Sequence, residues 1–250
     1  MSIPSWDPVA APLARRRTVV RFDFRGQFLS PGQPPATFAE HAEDVVRLLD
    51  ALGLARADLL GTSFGGLVAL VVAARWPERV RRLLIVTATA ALDGPMREKA
   101  ALLERRAREA AAGGDGAELF RLVAAGTFSA PFLARQPADW IETRAAATAT
   151  MPREWFEAVA GLMAALGTLD LDGLLPRIAA PTLVIGAALD RTFPVDNSRA
   201  LAAAIRGARL EILDGVGHGA VVEAPELIVA LVEGFLRTTA GDGVVREGVT

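Results

Sequence analysis

Short apolar runs alternate with longer amphipathic ones at both ends of the chain. The short runs, bounded by turn-forming residues, predict strands at 19–23, 58–61, 80–87, 182–186 and 210–213. Helical periods lie between them, as at 38–54, where Val45, Leu48 and Leu49 recur on one face. Such alternation predicts an α/β fold, with a mostly parallel sheet carrying helices on both faces. Residues 92–178 break the pattern. This Ala-rich stretch predicts helices at 96–112, 117–126, 137–147 and 152–166, the first ended by Gly113-Gly114. The expected organisation is a core from 1–91 and 179–240, a helical cap inserted at 92–178, and a C-terminal tail at 241–250.

The pentapeptide Gly61-Thr62-Ser63-Phe64-Gly65 stands between the apolar pair Leu59-Leu60 and an apolar helical run at 67–74. A strand that turns sharply into a helix through Gly-x-Ser-x-Gly is a nucleophile elbow, with the serine hydroxyl at its tip. The backbone at such a serine is strained, and glycine at 61 and 65 is expected to remove collisions around it. The amide of Phe64, at the helix N-terminus, is then aimed where negative charge develops on a substrate carbonyl oxygen.

A serine nucleophile needs a base, and the chain has two histidines. His41 falls within the amphipathic period at 38–54 and is expected to face solvent. His218 sits in Gly215-Val216-Gly217-His218-Gly219, after the last predicted strand, where flanking glycines leave room for its ring on a mobile turn. The base needs a carboxylate to hold its tautomer. Asp190 follows the predicted strand at 182–186, while Asp93, after the strand at 80–87, is the competing acid. Ligand sites in open parallel sheets gather outside the carboxyl ends of the strands, so Ser63, Asp190 and His218 are expected on one rim.

Composition narrows the chemistry. The absence of cysteine among the 250 residues rules out disulfides, thiol catalysis and thiolate metal sites. Two histidines make a poor basis for zinc, and no metal or other cofactor is expected. A net charge of −2 gives no case for nucleic acid, and no apolar run reaches the length of a membrane span. With no basic head and apolar core at the N-terminus, a cytoplasmic location is expected, with a small molecule as the partner.

On these motifs the chain resembles the α/β-hydrolase fold superfamily, among its capped esterases and lactonases. The matching stretches are Arg21-Phe22-Asp23-Phe24-Arg25-Gly26 with Ser30, residues 61–66, residues 181–194, and Gly217-His218. The resemblance implies Ser63 as nucleophile, Asp190 as acid, His218 as base and the Phe64 amide as an oxyanion donor. It implies a serine hydrolase acting on an ester, thioester or lactone; serine at 63 argues against dehalogenases and epoxide hydrolases, which use aspartate there. C–C bond hydrolysis, cofactor-free perhydrolysis and a non-catalytic ligand-binding scaffold remain alternatives. The aromatic cap, with Trp140 and Trp155, is expected to favour a largely apolar substrate.

Two departures from the family pattern carry expectations of their own. Phe28 stands where the arginine-glycine loop usually has a second glycine. Residues 1–5 hold neither an apolar strand nor the His-Gly that supplies a second oxyanion amide in the family. The expectation is a chain shortened at its N-terminus, with a slot in the sheet between the runs at 19–23 and 58–61. Either the first strand shifts across to pair, or the slot stays open.

Overall fold

The computed structural model describes residues 3–167, 169–171 and 173–238, so the predicted tail at 241–250 lies outside the described residues. Four parallel strands form the sheet in the order β1 (Ala57–Thr62), β2 (Val80–Val86), β3 (Thr182–Ala187) and β4 (Arg209–Leu213). Gly61 pairs with Ile85 across β1 and β2, and Ile185 with Glu211 across β3 and β4.

The strands sort their side chains by the twofold period of a pleated backbone. Leu83 and Ile85 of β2 and Val184 of β3 enter a core shared with α2 (Phe38–Ala51), α3 (Phe64–Arg75) and α9 (Val195–Ala204). Leu84, Val86, Leu183 and Ile185 enter the opposite core, with α1 (Asp7–Ala14) and α11 (Pro225–Thr238). Both faces are therefore covered, and the central strands are apolar on both sides, as parallel sheets require. Helix α3 is buried along nearly its whole length, from Gly66 to Ala74.

Residues 18–24 belong to no ladder, which corrects the strand expected at 19–23. A cavity separates them from the free edge of β1, so neither side reaches a backbone partner across it. The slot stays open. Side chains hold the segment instead: the Asp23 carboxylate accepts from the Ile3 amide at 3.0 Å, and Arg21 pairs with Asp7. Val20 and Phe22 remain more than 40% exposed beside this slot.

Between β2 and β3 run α4 (Gly94–Ala111), α5 (Gly116–Thr127), α6 (Ala130–Leu133), α7 (Trp140–Ala149) and α8 (Arg153–Gly167). Asp93 and Asp115 start α4 and α5 by accepting from the amides of Met96 and Ala117, both at 2.8 Å. Ala107, Ala110, Leu119, Phe156 and Ala160 give these helices a small core of their own. Gly116 is needed where α5 meets α8, because a Cβ there would lie 2.5 Å from the Phe156 ring. Among the described residues no helix is long and apolar enough to cross a membrane.

Candidate active site

Ser63 occupies the turn between β1 and α3 with φ +50° and ψ −123°, a conformation that side chains rarely adopt. Two backbone hydrogen bonds hold it there: its amide donates to the Val86 carbonyl at 2.9 Å, and its carbonyl accepts from Leu67 at 3.0 Å. The glycines do different jobs. A Cβ at Gly61 would lie 2.4 Å from the Gly65 carbonyl oxygen, so only glycine fits. A Cβ at Gly65 would meet nothing nearer than the Phe24 ring at 4.0 Å, so the collision expected there does not exist.

The Ser63 hydroxyl lies 2.8 Å from Nε2 of His218, and Nδ1 of His218 lies 2.8 Å from Oδ2 of Asp190. The geometry sets one tautomer, with Nδ1–H donating to the carboxylate and Nε2 accepting from the serine. Asp190 follows β3 and is itself anchored, because Oδ1 accepts from the amides of Thr192 at 2.7 Å and Phe193 at 2.8 Å. Asp190 and His218 are 6% and 8% exposed, which shields their contact from water. The Phe193 ring meets the imidazole edge-on at 5.3 Å. Asp93 is engaged elsewhere, capping α4.

The His218 turn is tied down rather than mobile. Glu223, in α10 (Ala220–Glu223), accepts from the Gly217 amide at 3.0 Å through Oε2. The same carboxylate accepts from the Ser129 amide at 2.8 Å and the Ser129 hydroxyl at 2.6 Å. Glycine at 217 is required by this crowding, since a Cβ would lie 2.7 Å from Glu223 and 2.8 Å from the Ser129 amide. From below, Thr87 donates to the His218 carbonyl at 3.0 Å. Sequence reasoning missed Glu223 and Ser129, which lie 94 residues apart in the chain.

Phe64 opens α3, and first-turn amides have no partner within their own helix. That leaves its N–H, next in sequence to Ser63, without a partner inside the helix. Phe64 is packed against Phe24 and against His41, at ring separations of 5.5 and 5.1 Å. His41 is fully buried, contrary to the solvent-facing position expected. It shares the inner face of α2 with Phe38, Ala42, Val45 and Leu49, at helical spacing. Burial holds its pKa down at about 4, so the ring is neutral near pH 7.

A cavity of about 1020 Å³ joins Ser63 and His218 to the slot beside β1. Its roof is apolar: Met96, Leu103, Leu119, Phe128, Val159 and Met163 come from the inserted helices. Trp140 and Trp155 do not line this cavity. Trp140 packs among Phe128 and Phe132, and Trp155 against Phe28 and Phe156. Phe28 keeps the left-handed backbone that glycine favours, with φ +39°, and its ring contact with Trp155 holds the loop against α8.

A family model described as the alpha/beta hydrolase fold matches residues 1–225. A Caulobacter sp. (strain K31) protein, provisionally named carbamate hydrolase RutD, is 32% identical over 92% of this chain and 85% of its own length. The crystal structure of a hydrolase from Pseudomonas aeruginosa PA01 superposes with a TM-score of 0.81 at 33% identity, over 94% of this chain and 85% of that one. The enol-lactonase from Burkholderia xenovorans LB400 gives a TM-score of 0.81 at 28% identity, over 94% and 87% of the two chains.

Proposed function

Because the chain belongs to the α/β-hydrolase fold family and is a hydrolase, we propose that it acts as a serine hydrolase on an ester, thioester or lactone of a small acyl compound. The observation that carries this reading is the continuous hydrogen-bonded chain from Ser63 through His218 to Asp190, both links 2.8 Å long. Nothing in the proposed chemistry calls for a metal or other cofactor.

In this mechanism the Ser63 hydroxyl attacks the carbonyl carbon as Nε2 of His218 takes its proton. Asp190 holds the imidazole in the tautomer able to accept that proton, and stabilises the imidazolium that results. Charge gathering on the carbonyl oxygen meets the Phe64 amide and the positive end of α3. His218 then returns the proton to the departing alcohol or thiol, or to the ring oxygen of a lactone. A water molecule deprotonated by His218 releases the acyl group. The Burkholderia xenovorans LB400 relative is named an enol-lactonase, and a lactone is one of the substrates this mechanism handles.

Wild-type and Ser63→Ala protein assayed on p-nitrophenyl acetate, butyrate and hexanoate test the reading. Turnover by the wild type that vanishes in the variant, with an acyl adduct on Ser63 by mass spectrometry, is the expected result. Binding without turnover by either protein would favour a ligand-binding scaffold.

A further inference from the structure

Helix α4 presents Met96, Lys99, Ala100 and Leu103 to the cavity, at i, i+3, i+4 and i+7. Lys99 is the only lysine in the chain. Its place on this face is unusual, because the neighbouring positions on the stripe are apolar. Among the described residues no carboxylate lies within ion-pair distance of its ammonium, which donates to the Thr192 hydroxyl at 3.3 Å. That hydroxyl donates onward to the Gly126 carbonyl at 3.1 Å. Thr192 also gives its amide to Asp190, so the ammonium stands over the loop that carries the triad acid.

The fold makes room for this cation. A Cβ at Gly126 would lie 2.1 Å from the Lys99 Nζ, so an alanine there would displace the ammonium. Partial burial lowers its pKa, and the charge of Arg191 adds to this, against the pull of Asp190. Asp190 is turned to other partners, with Oδ2 on His218 and Oδ1 on the amides of Thr192 and Phe193. Three N–H donors with a single hydroxyl acceptor leave the ammonium with capacity for another partner.

We propose that Lys99 is a specificity residue that binds a carboxylate carried by the substrate, so that the preferred substrates are acyl compounds with a second, anionic group. This deepens the serine-hydrolase reading and rests on it. It also revises the expectation of a largely apolar substrate: the apolar roof holds the carbon chain, and Lys99 holds its charged end. The ammonium exchanges part of its water for the carboxylate, and the hydrogen bond formed is charged on both sides.

The test compares p-nitrophenyl hydrogen adipate with p-nitrophenyl hexanoate, which have acyl chains of the same length with and without the carboxylate. In Lys99→Met, kcat/KM for the adipate ester should fall about tenfold or more through KM, while the hexanoate ester changes little. Lys99→Arg should restore much of the preference, and Gly126→Ala should weaken it with the lysine still present. An unchanged preference in Lys99→Met overturns the proposal. An equal loss of kcat on both esters also overturns it, since Lys99 would then act by positioning the Thr192–Asp190 loop. Adipate binding, read by calorimetry on full-length Ser63→Ala with and without Lys99→Met, is independent of turnover. Loss of binding with Lys99→Met supports the anion site even if both esters resist hydrolysis and the serine-hydrolase reading fails. Equal binding by the two proteins overturns it.

Discussion

Asp190 divides its two carboxylate oxygens: Oδ2 faces Nδ1 of His218 at 2.8 Å, and Oδ1 takes the amides of Thr192 and Phe193. One side chain thus fixes both the orientation of the imidazole and the loop that delivers the carboxylate. Asp190→Asn should lower kcat by about 10⁴-fold, because the wrong tautomer leaves Nε2 unable to accept the serine proton. Asp93→Asn should leave turnover close to wild type, since asparagine caps α4 about as well as aspartate. Steady-state kinetics of both variants on one aryl ester decide between the two acids. If Asp93→Asn is the crippled variant, the acid is misplaced.

Glu223 offers a different kind of dependence, because it touches no part of the reacting chain. Its carboxylate ties Gly217, next to His218, to Ser129 at the start of α6. Glu223→Gln keeps the volume but turns one acceptor into a donor that faces other donors. The His218 turn should then loosen, lowering kcat by roughly ten- to a hundredfold while KM moves little. Ordinary destabilisation would reduce the amount of folded protein, so kcat should be normalised to active sites titrated with a fluorophosphonate. A kcat unchanged on that basis would show that the clamp serves only folding.

The elements legible in the sequence are those whose signals are local. Strands β1 to β4 and the elbow at Ser63 come from short apolar runs and glycine spacing, and Gly61 is required for the reason such a turn demands. The positions of Ser63, Asp190 and His218 after strand ends likewise predict that they share one rim. What escaped was nonlocal. Counting histidine as polar hides that His41 shares the apolar face of Phe38 and Val45. Residues 19–23 have strand-like composition, but a strand exists only where a neighbour supplies hydrogen bonds. Lys99 left a trace that was readable in principle: it interrupts the apolar stripe of Met96, Ala100 and Leu103.

His41 makes stability depend on pH. Neither ring nitrogen has a hydrogen-bond partner among the described residues, and Phe24 and Phe64 pack on it at 5.2 and 5.1 Å. Asp44 and Glu40 favour the charged form and Arg25 opposes it, but burial dominates and holds the pKa at about 4. An unfolded histidine titrates at 6.5. Above that pH both states are neutral and His41 adds no pH dependence. As pH falls from 6.5 toward 4, the unfolded chain takes up a proton that the folded protein refuses, so stability drops, by up to about 3 kcal/mol when complete. Urea unfolding at pH 7.5 and pH 5 should therefore show a smaller loss for His41→Leu than for wild type. Equal losses in the two proteins would assign the acid sensitivity to other groups.

The free edge of β1 predicts an alternating pattern of amide exchange. Side chains and backbone groups of a strand repeat every second residue, and the Ser63 amide bonds to Val86 of β2. The amides of Gly61 and Leu59 then face β2 as well, while those of Leu60 and Thr62 face the slot, whose far wall is residues 18–24. An unpaired buried amide costs about 1–3 kcal/mol, which water entering the cavity relieves. Hydrogen exchange followed by NMR on the full chain should find Leu59, Gly61 and Ser63 protected, with Leu60 and Thr62 exchanging much faster. The contrast comes from hydrogen bonding and not from depth, because Thr62 is as buried as its protected neighbour Gly61. Uniform protection along β1 would mean that a further strand fills the slot in solution, from this chain or another copy, and would overturn the open edge described above. Sedimentation of the same sample then separates those two sources, since a strand lent by another copy makes protection depend on protein concentration.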